Sequence, residues 1–141
     1  MEHRFEIFAD YFQFYLVDDD ARYGDLSDAW PDAAVGRMLA LGPHVIGIGT
    51  ARNMTVPVMV RVCEGEPDIG DAGFDRVNAC TMEIGTGRIA IAGCTDYLPT
   101  AARIEVEPGI HDALIGYKGL DTVSEDGLAG DDSYHIFLWR R

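Results

Sequence analysis

Apolar and polar residues alternate at a period of two along most of the chain, the signature of strands with one buried face. Over residues 5–17, Phe5, Ile7 and Ala9 hold odd positions, whereas Phe12, Phe14 and Leu16 hold even ones. The parity flips near Asp10. A one-residue shift turns side chains to the other face, so a β-bulge or strand break is expected there. Val56, Val58, Val60 and Val62 face one way and Pro57, Met59 and Arg61 the other. Pro57 puts that strand at a sheet edge, or the proline near the strand's start. Residues 74–84 and 88–94 read as a pair joined by Gly85-Thr86-Gly87. Residues 102–107 and 110–117 read as a hairpin turning at Pro108-Gly109, where glycine supplies the positive φ of a type II turn. Residues 134–140 read as the closing strand.

Helical signal is confined to residues 27–35. Ser27 or Asp28 could cap a two-turn helix and Pro31 suits an early position in it. Trp30 then reads as a core plug. Residues 37–41 and 45–50 suggest a hairpin about Gly42-Pro43; the alternative is a helix running through Leu41, because Arg37-Met38-Leu39-Ala40-Leu41 contains good helix formers. Turn signals recur about every ten residues, the spacing of an all-β protein. The expected fold is an antiparallel β-sandwich, jelly-roll-like, of about 8–10 short strands with at most one short helix. It would form one domain over residues 1–141.

A chain of 141 residues buries enough surface to fold without disulfides or a structural metal. Cys63, Cys80 and Cys94 are odd in number and lack CxxC spacing, and read as buried, reduced thiols on strands. The net charge of −13 changes the picture more: of eleven basic residues only Lys118 is a lysine. Such a field repels phosphate backbones and anionic lipid, so neither direct nucleic-acid binding nor membrane docking is expected. No apolar run approaches the roughly 20 residues of a membrane span, and the N-terminus lacks a signal pattern, so a cytoplasmic location is expected.

The acids concentrate in two places. Asp18, Asp19 and Asp20 follow the first strand region; Asp121, Glu125, Asp126, Asp131 and Asp132 put five carboxylates into twelve positions. Both clusters are candidates for binding a basic protein partner, since a rigid strand holding out a charged loop presents a binding surface. The competing reading of 121–132 is a solvated loop with Gly127 and Gly130 supplying turns. Its acids lack the odd-position spacing of an EF-hand. No phosphate loop, nucleophile elbow or HExxH motif occurs, so no catalytic residue, metal ligand or cofactor is assigned and a non-enzyme is expected. The alternative is a small-ligand- or metal-binding β-barrel, in which His111 and His135 would meet across a sheet and share a metal with a carboxylate.

Two resemblances add to this. The ending Gly119-Leu120-Asp121-Thr122-Val123-Ser124-Glu125-Asp126-Gly127, with Gly130-Asp131-Asp132, Tyr134 and Leu138-Trp139, resembles that of a widespread group of uncharacterised bacterial proteins. Tyr11-Phe12-Gln13-Phe14, Trp30 with Asp32-Ala33-Ala34-Val35, Ala51-Arg52-Asn53, the Val56–Val62 strand and Pro108-Gly109 together resemble the competence protein J family, inhibitors of a DNA-uptake nuclease. This second resemblance implies a β-sandwich that binds and blocks a nuclease, its acids occupying the basic groove as phosphate mimics.

Overall fold

A computed structural model describes residues 1–19 and 30–141. Asp20 and the expected caps Ser27 and Asp28 lie outside the described residues. Ten strands are present among the described residues: β1 (Glu2–Phe8), β2 (Gln13–Asp18), β3 (Leu39–Gly42), β4 (Val45–Gly49), β5 (Thr55–Cys63), β6 (Arg76–Ile84), β7 (Arg88–Gly93), β8 (Ala102–Glu105), β9 (Gly109–Lys118) and β10 (Ser133–Arg140), with one short helix, α1 (Asp32–Arg37). They form two five-stranded sheets, ordered β1-β5-β10-β9-β6 and β3-β4-β2-β7-β8. The expected all-β sandwich is what the chain forms.

The alternating pattern supplies the core. Val56, Val58 and Val60 of β5 and Ile136 and Leu138 of β10 meet Phe14, Leu16, Ile46, Ile48, Ile89 and Ile91 of the second sheet in one buried cluster. Each such side chain contributes about 1.5–3 kcal/mol when fully buried. The parity flip at Asp10 marks a change of sheet. β1 ends in the first sheet, a 3-10 turn over Asp10–Phe12 carries the chain across, and β2 begins in the second. Ile7 and Phe14 both point inward although their positions differ in parity, because each faces the other's sheet.

Several local expectations change. β6 and β7 do not pair, nor do β8 and β9; each couple is split between the sheets. The turns at residues 85–87 and 106–108 are therefore arches between layers, and a short glycine- or proline-containing turn serves either purpose. One pair, β5 with β10, is parallel, so the sandwich is not purely antiparallel. β10 is the middle strand of its sheet. β5 is flanked on both sides, so Pro57 marks its start and not an edge. The hairpin about Pro43-His44 forms, with Gly42 opposite Val45, and the helix stops at Met38, which adopts left-handed φ 61°. Trp30 is only half-buried and lies on an outer face: its Nε1 donates to the Tyr15 hydroxyl at 3.2 Å, and its ring covers Gly47. Cys63 and Cys80 are half-buried on strands, whereas Cys94 is exposed just past β7. Among the described residues, no helix is long and apolar enough to cross a membrane.

Candidate interaction site

β2 separates the two acidic clusters. Its Gln13 end adjoins the 121–132 loop through Phe12, whose ring lies against Gly127; its Asp18 end meets the 85–87 arch. Six residues at about 3.3 Å each put the clusters on the order of 20 Å apart, at opposite ends of the sandwich.

At the β2 terminus Asp18 and Asp19 are consumed internally. Asp18 continues the inward parity of Phe14 and Leu16 and is buried. Its carboxylate accepts from Gly85 N at 2.8 Å, Thr86 N at 3.3 Å and the Thr86 hydroxyl at 2.5 Å. It thereby satisfies the backbone donors that an arch leaves without a strand partner. Asp19 is clasped by Arg88 Nε at 2.7 Å and Arg103 Nε at 2.5 Å. Partial burial pushes its carboxyl up, but the hydrogen bonds from Arg103 and Arg88 outweigh this and hold it below the usual carboxylate range.

The 121–132 loop is tied to itself and to the sandwich. Ser124 donates to Asp126 Oδ1 at 2.5 Å, Leu128 N donates to the same oxygen at 3.0 Å, and Ser124 N bonds Ala129 O at 2.8 Å. The Ser124 and Leu128 bonds lower the Asp126 pKa. Asp131 N donates to Thr122 Oγ1 at 2.8 Å, and Gly127 O accepts from Asn53 N at 2.7 Å. Gly119 has φ 70°, and a Cβ there would lie 2.5 Å from Asp131 O, so only glycine permits this closure. Asp132 shares the inward parity of Tyr134 and Ile136 and is fully buried. It pairs with Arg52 Nε at 2.8 Å and accepts from the Tyr134 hydroxyl at 2.6 Å; that hydroxyl in turn accepts from Ala51 N at 2.8 Å. Burial and the bond to Asp132 push the Tyr134 pKa up. Asp121, Glu125 and Asp131 stay exposed with their carboxylates free of ion pairs among the described residues.

Seven of the eight acids singled out in the sequence lie among the described residues: Asp18 and Asp132 are interior and Asp19 is neutralised by two arginines. Asp126 is exposed but acts as an internal loop brace. Asp121, Glu125 and Asp131 stand free together at one end. Sequence reasoning noted Arg52 only within the Ala51-Arg52-Asn53 resemblance and assigned it no role; it is the cation that holds this loop down. It read Tyr11 and Phe12 as strand residues and assigned no role to Met54 or Leu128, whereas all four are exposed here: Tyr11 (68 %), Phe12 (44 %), Met54 (42 %) and Leu128 (49 %). Two adjacent aromatics at the parity flip were the available signal.

Chemistry elsewhere is sparse. His111 is buried with the inward residues of β9, whereas His135 lies on the outer face of β10 against Phe74 at 5.1 Å. The two point to opposite sides of their sheet, so the metal-binding alternative lacks its ligand pair. No group of three or more His, Cys, Asp or Glu residues is placed to hold a metal ion among the described residues. Ser133 and His135 are 2.9 Å apart in an open groove of about 450 Å³. The other imidazole nitrogen has no hydrogen-bonded carboxylate among the described residues, so the third member of a nucleophilic triad is missing. Burial pushes the Cys80 thiol up to about 12 and also raises that of Cys94, which keeps both out of the reactive thiolate form.

No protein-family model matches the chain, and no curated protein matches it in sequence. Solved structures do share its fold. ComJ from Bacillus subtilis, inhibitor of the DNA-degrading activity of NucA, superposes with a TM-score of 0.70 at 15 % identity, covering 100 % of this chain and 96 % of that one. The product of crocagin biosynthetic gene J superposes with a TM-score of 0.64 at 14 % identity, covering 99 % and 96 %. At these identities the likeness is one of fold.

Proposed function

We propose that this protein is a non-catalytic interaction protein that binds and restrains a basic, nuclease-type protein partner. The observation that carries this reading is the end-to-end match of its sandwich to a nuclease inhibitor, in a chain whose net charge is −13. A nuclease holds its substrate through cationic contacts to phosphates. An acidic protein competes for those cations, and complementary charge raises the association rate and disfavours wrong partners. Direct contact with nucleic acid is disfavoured by the same field.

The test is DNA degradation by purified NucA from Bacillus subtilis, titrated with this protein at low and at high salt. The expected result is loss of cleavage approaching one-to-one stoichiometry at low salt, weakening as salt rises. Unchanged cleavage at large molar excess in low salt contradicts the proposal.

A further inference from the structure

We infer that the end of the sandwich bearing Tyr11, Phe12, Met54 and Leu128 is the docking face, and that it enters an apolar socket ringed by lysine or arginine on a protein partner. This rests on the interaction reading above and assigns it a surface.

Three separate stretches of chain bring apolar side chains to one place here. Phe12 packs on Gly127, where an added Cβ would lie 3.0 Å from the Phe12 ring. Leu128 follows directly. Asn53 N donates to Gly127 O at 2.7 Å, and the next residue, Met54, accepts from Ala9 N at 3.0 Å. The sandwich interior holds Phe14, Leu16, Ile46 and Ile48 at 0 % exposure, whereas Tyr11, Phe12, Met54 and Leu128 stay open to solvent. Tyr11 and Phe12 are also held in left-handed backbone, at φ 57° and 61°. Glycine would make the same crossing between sheets without steric cost. Phe12 offsets that cost in part through its packing on Gly127, whereas Tyr11, 68 % exposed, carries the strain of the left-handed conformation with most of its side chain in solvent. Aromatic and methionine side chains are the enriched core of protein–protein interfaces, and rigid aromatics supply contact area with little entropy loss.

The surroundings fix the partner's chemistry. Asp10 precedes the aromatic pair, and Asp121, Glu125, Asp126 and Asp131 belong to the loop that Leu128 caps. Arg52, on the 51–53 segment that bonds this loop, is already spent on buried Asp132. An apolar centre rimmed by carboxylates complements an apolar socket rimmed by cations, with the rim steering encounter and the centre setting lifetime.

The experiment measures binding to NucA by surface plasmon resonance for wild type, Tyr11→Gly, Leu128→Ser and the control Ile110→Ser. Ile110 is a 47 %-exposed apolar residue at the start of β9, at the other end of the sandwich. Thermal melts of all four run alongside. Tyr11→Gly and Leu128→Ser are expected to weaken binding on the order of ten-fold or more, as hot-spot residues do. Tyr11→Gly should melt no lower than wild type, and Ile110→Ser should bind as wild type does. Wild-type affinity in both Tyr11→Gly and Leu128→Ser overturns the docking face and leaves the inhibitor reading standing. Failure of wild type to bind NucA removes that reading and the docking face with it. Sedimentation showing a wild-type dimer that Tyr11→Gly dissolves overturns the assignment by making a second copy the occupant.

Discussion

At the end where β2 stops, Asp18 and Asp19 face a ring of donors: the amides of the 85–87 arch, the Thr86 hydroxyl, Arg88 and Arg103. At the opposite end Asp132 is likewise buried and paired, but Asp121, Glu125 and Asp131 remain open to solvent beside exposed aromatics. Both stretches look alike in sequence, as runs of acids after or before a strand. One is mortar for a joint between sheets; the other combines a single buried anchor with a free negative surface. Acid density along a chain is thus a poor measure of charge on a surface, because strand parity decides which carboxylates ever reach it.

Removing the counter-cation of the buried anchor should have the largest effect. Arg52→Met leaves Asp132 charged and unpaired in the interior, and urea unfolding should show a loss of about 3–5 kcal/mol. Next comes the opposite end: Asp18→Ala strips three donors of their acceptor and should cost about 2–3 kcal/mol in the same assay. Asp19 makes a prediction in pH. Its folded pKa lies below the ordinary 3.8. Its contribution is therefore fully present above 3.8 and is lost as pH falls through the depressed folded value. Acid unfolding of Arg103→Met should show a shallower loss over that window than wild type, because part of the contribution is already gone. Smallest of all, neutralising Asp121, Glu125 and Asp131 together should change stability by no more than about 0.5 kcal/mol. A larger loss there would mean that the free end is structural after all.

Much of this was legible in the chain. The valines of β5 announced their strand, and the parity flip at Asp10 announced a break that proved to be the passage between sheets. The same parity places Asp18 with Phe14 and Leu16 and Asp132 with Tyr134 and Ile136, so the inward fate of both acids was written in the alternation. Other features depend on contacts between distant residues. Gly85-Thr86-Gly87 fits a hairpin or an arch equally well, and only the pairing of β6 with β9 decides between them. The central place of β10 follows from its parallel pairing with β5, which no local signal encodes. Arg52 becomes the partner of Asp132 only once the loop folds back over residues 51–53.

The most direct test of the claim that one end of the sandwich does the binding uses charge-matched variants. Asp121→Asn, Glu125→Gln and Asp131→Asn neutralise the free end; Glu83→Gln, Glu105→Gln and Glu107→Gln remove three exposed acids from the other. Association rates of both triple variants with NucA are measured across a salt series. The first triple should associate on the order of ten-fold more slowly at low salt and lose most of its salt dependence, while the second stays close to wild type. Equal slowing in both would show that net charge alone governs association and would contradict a binding end.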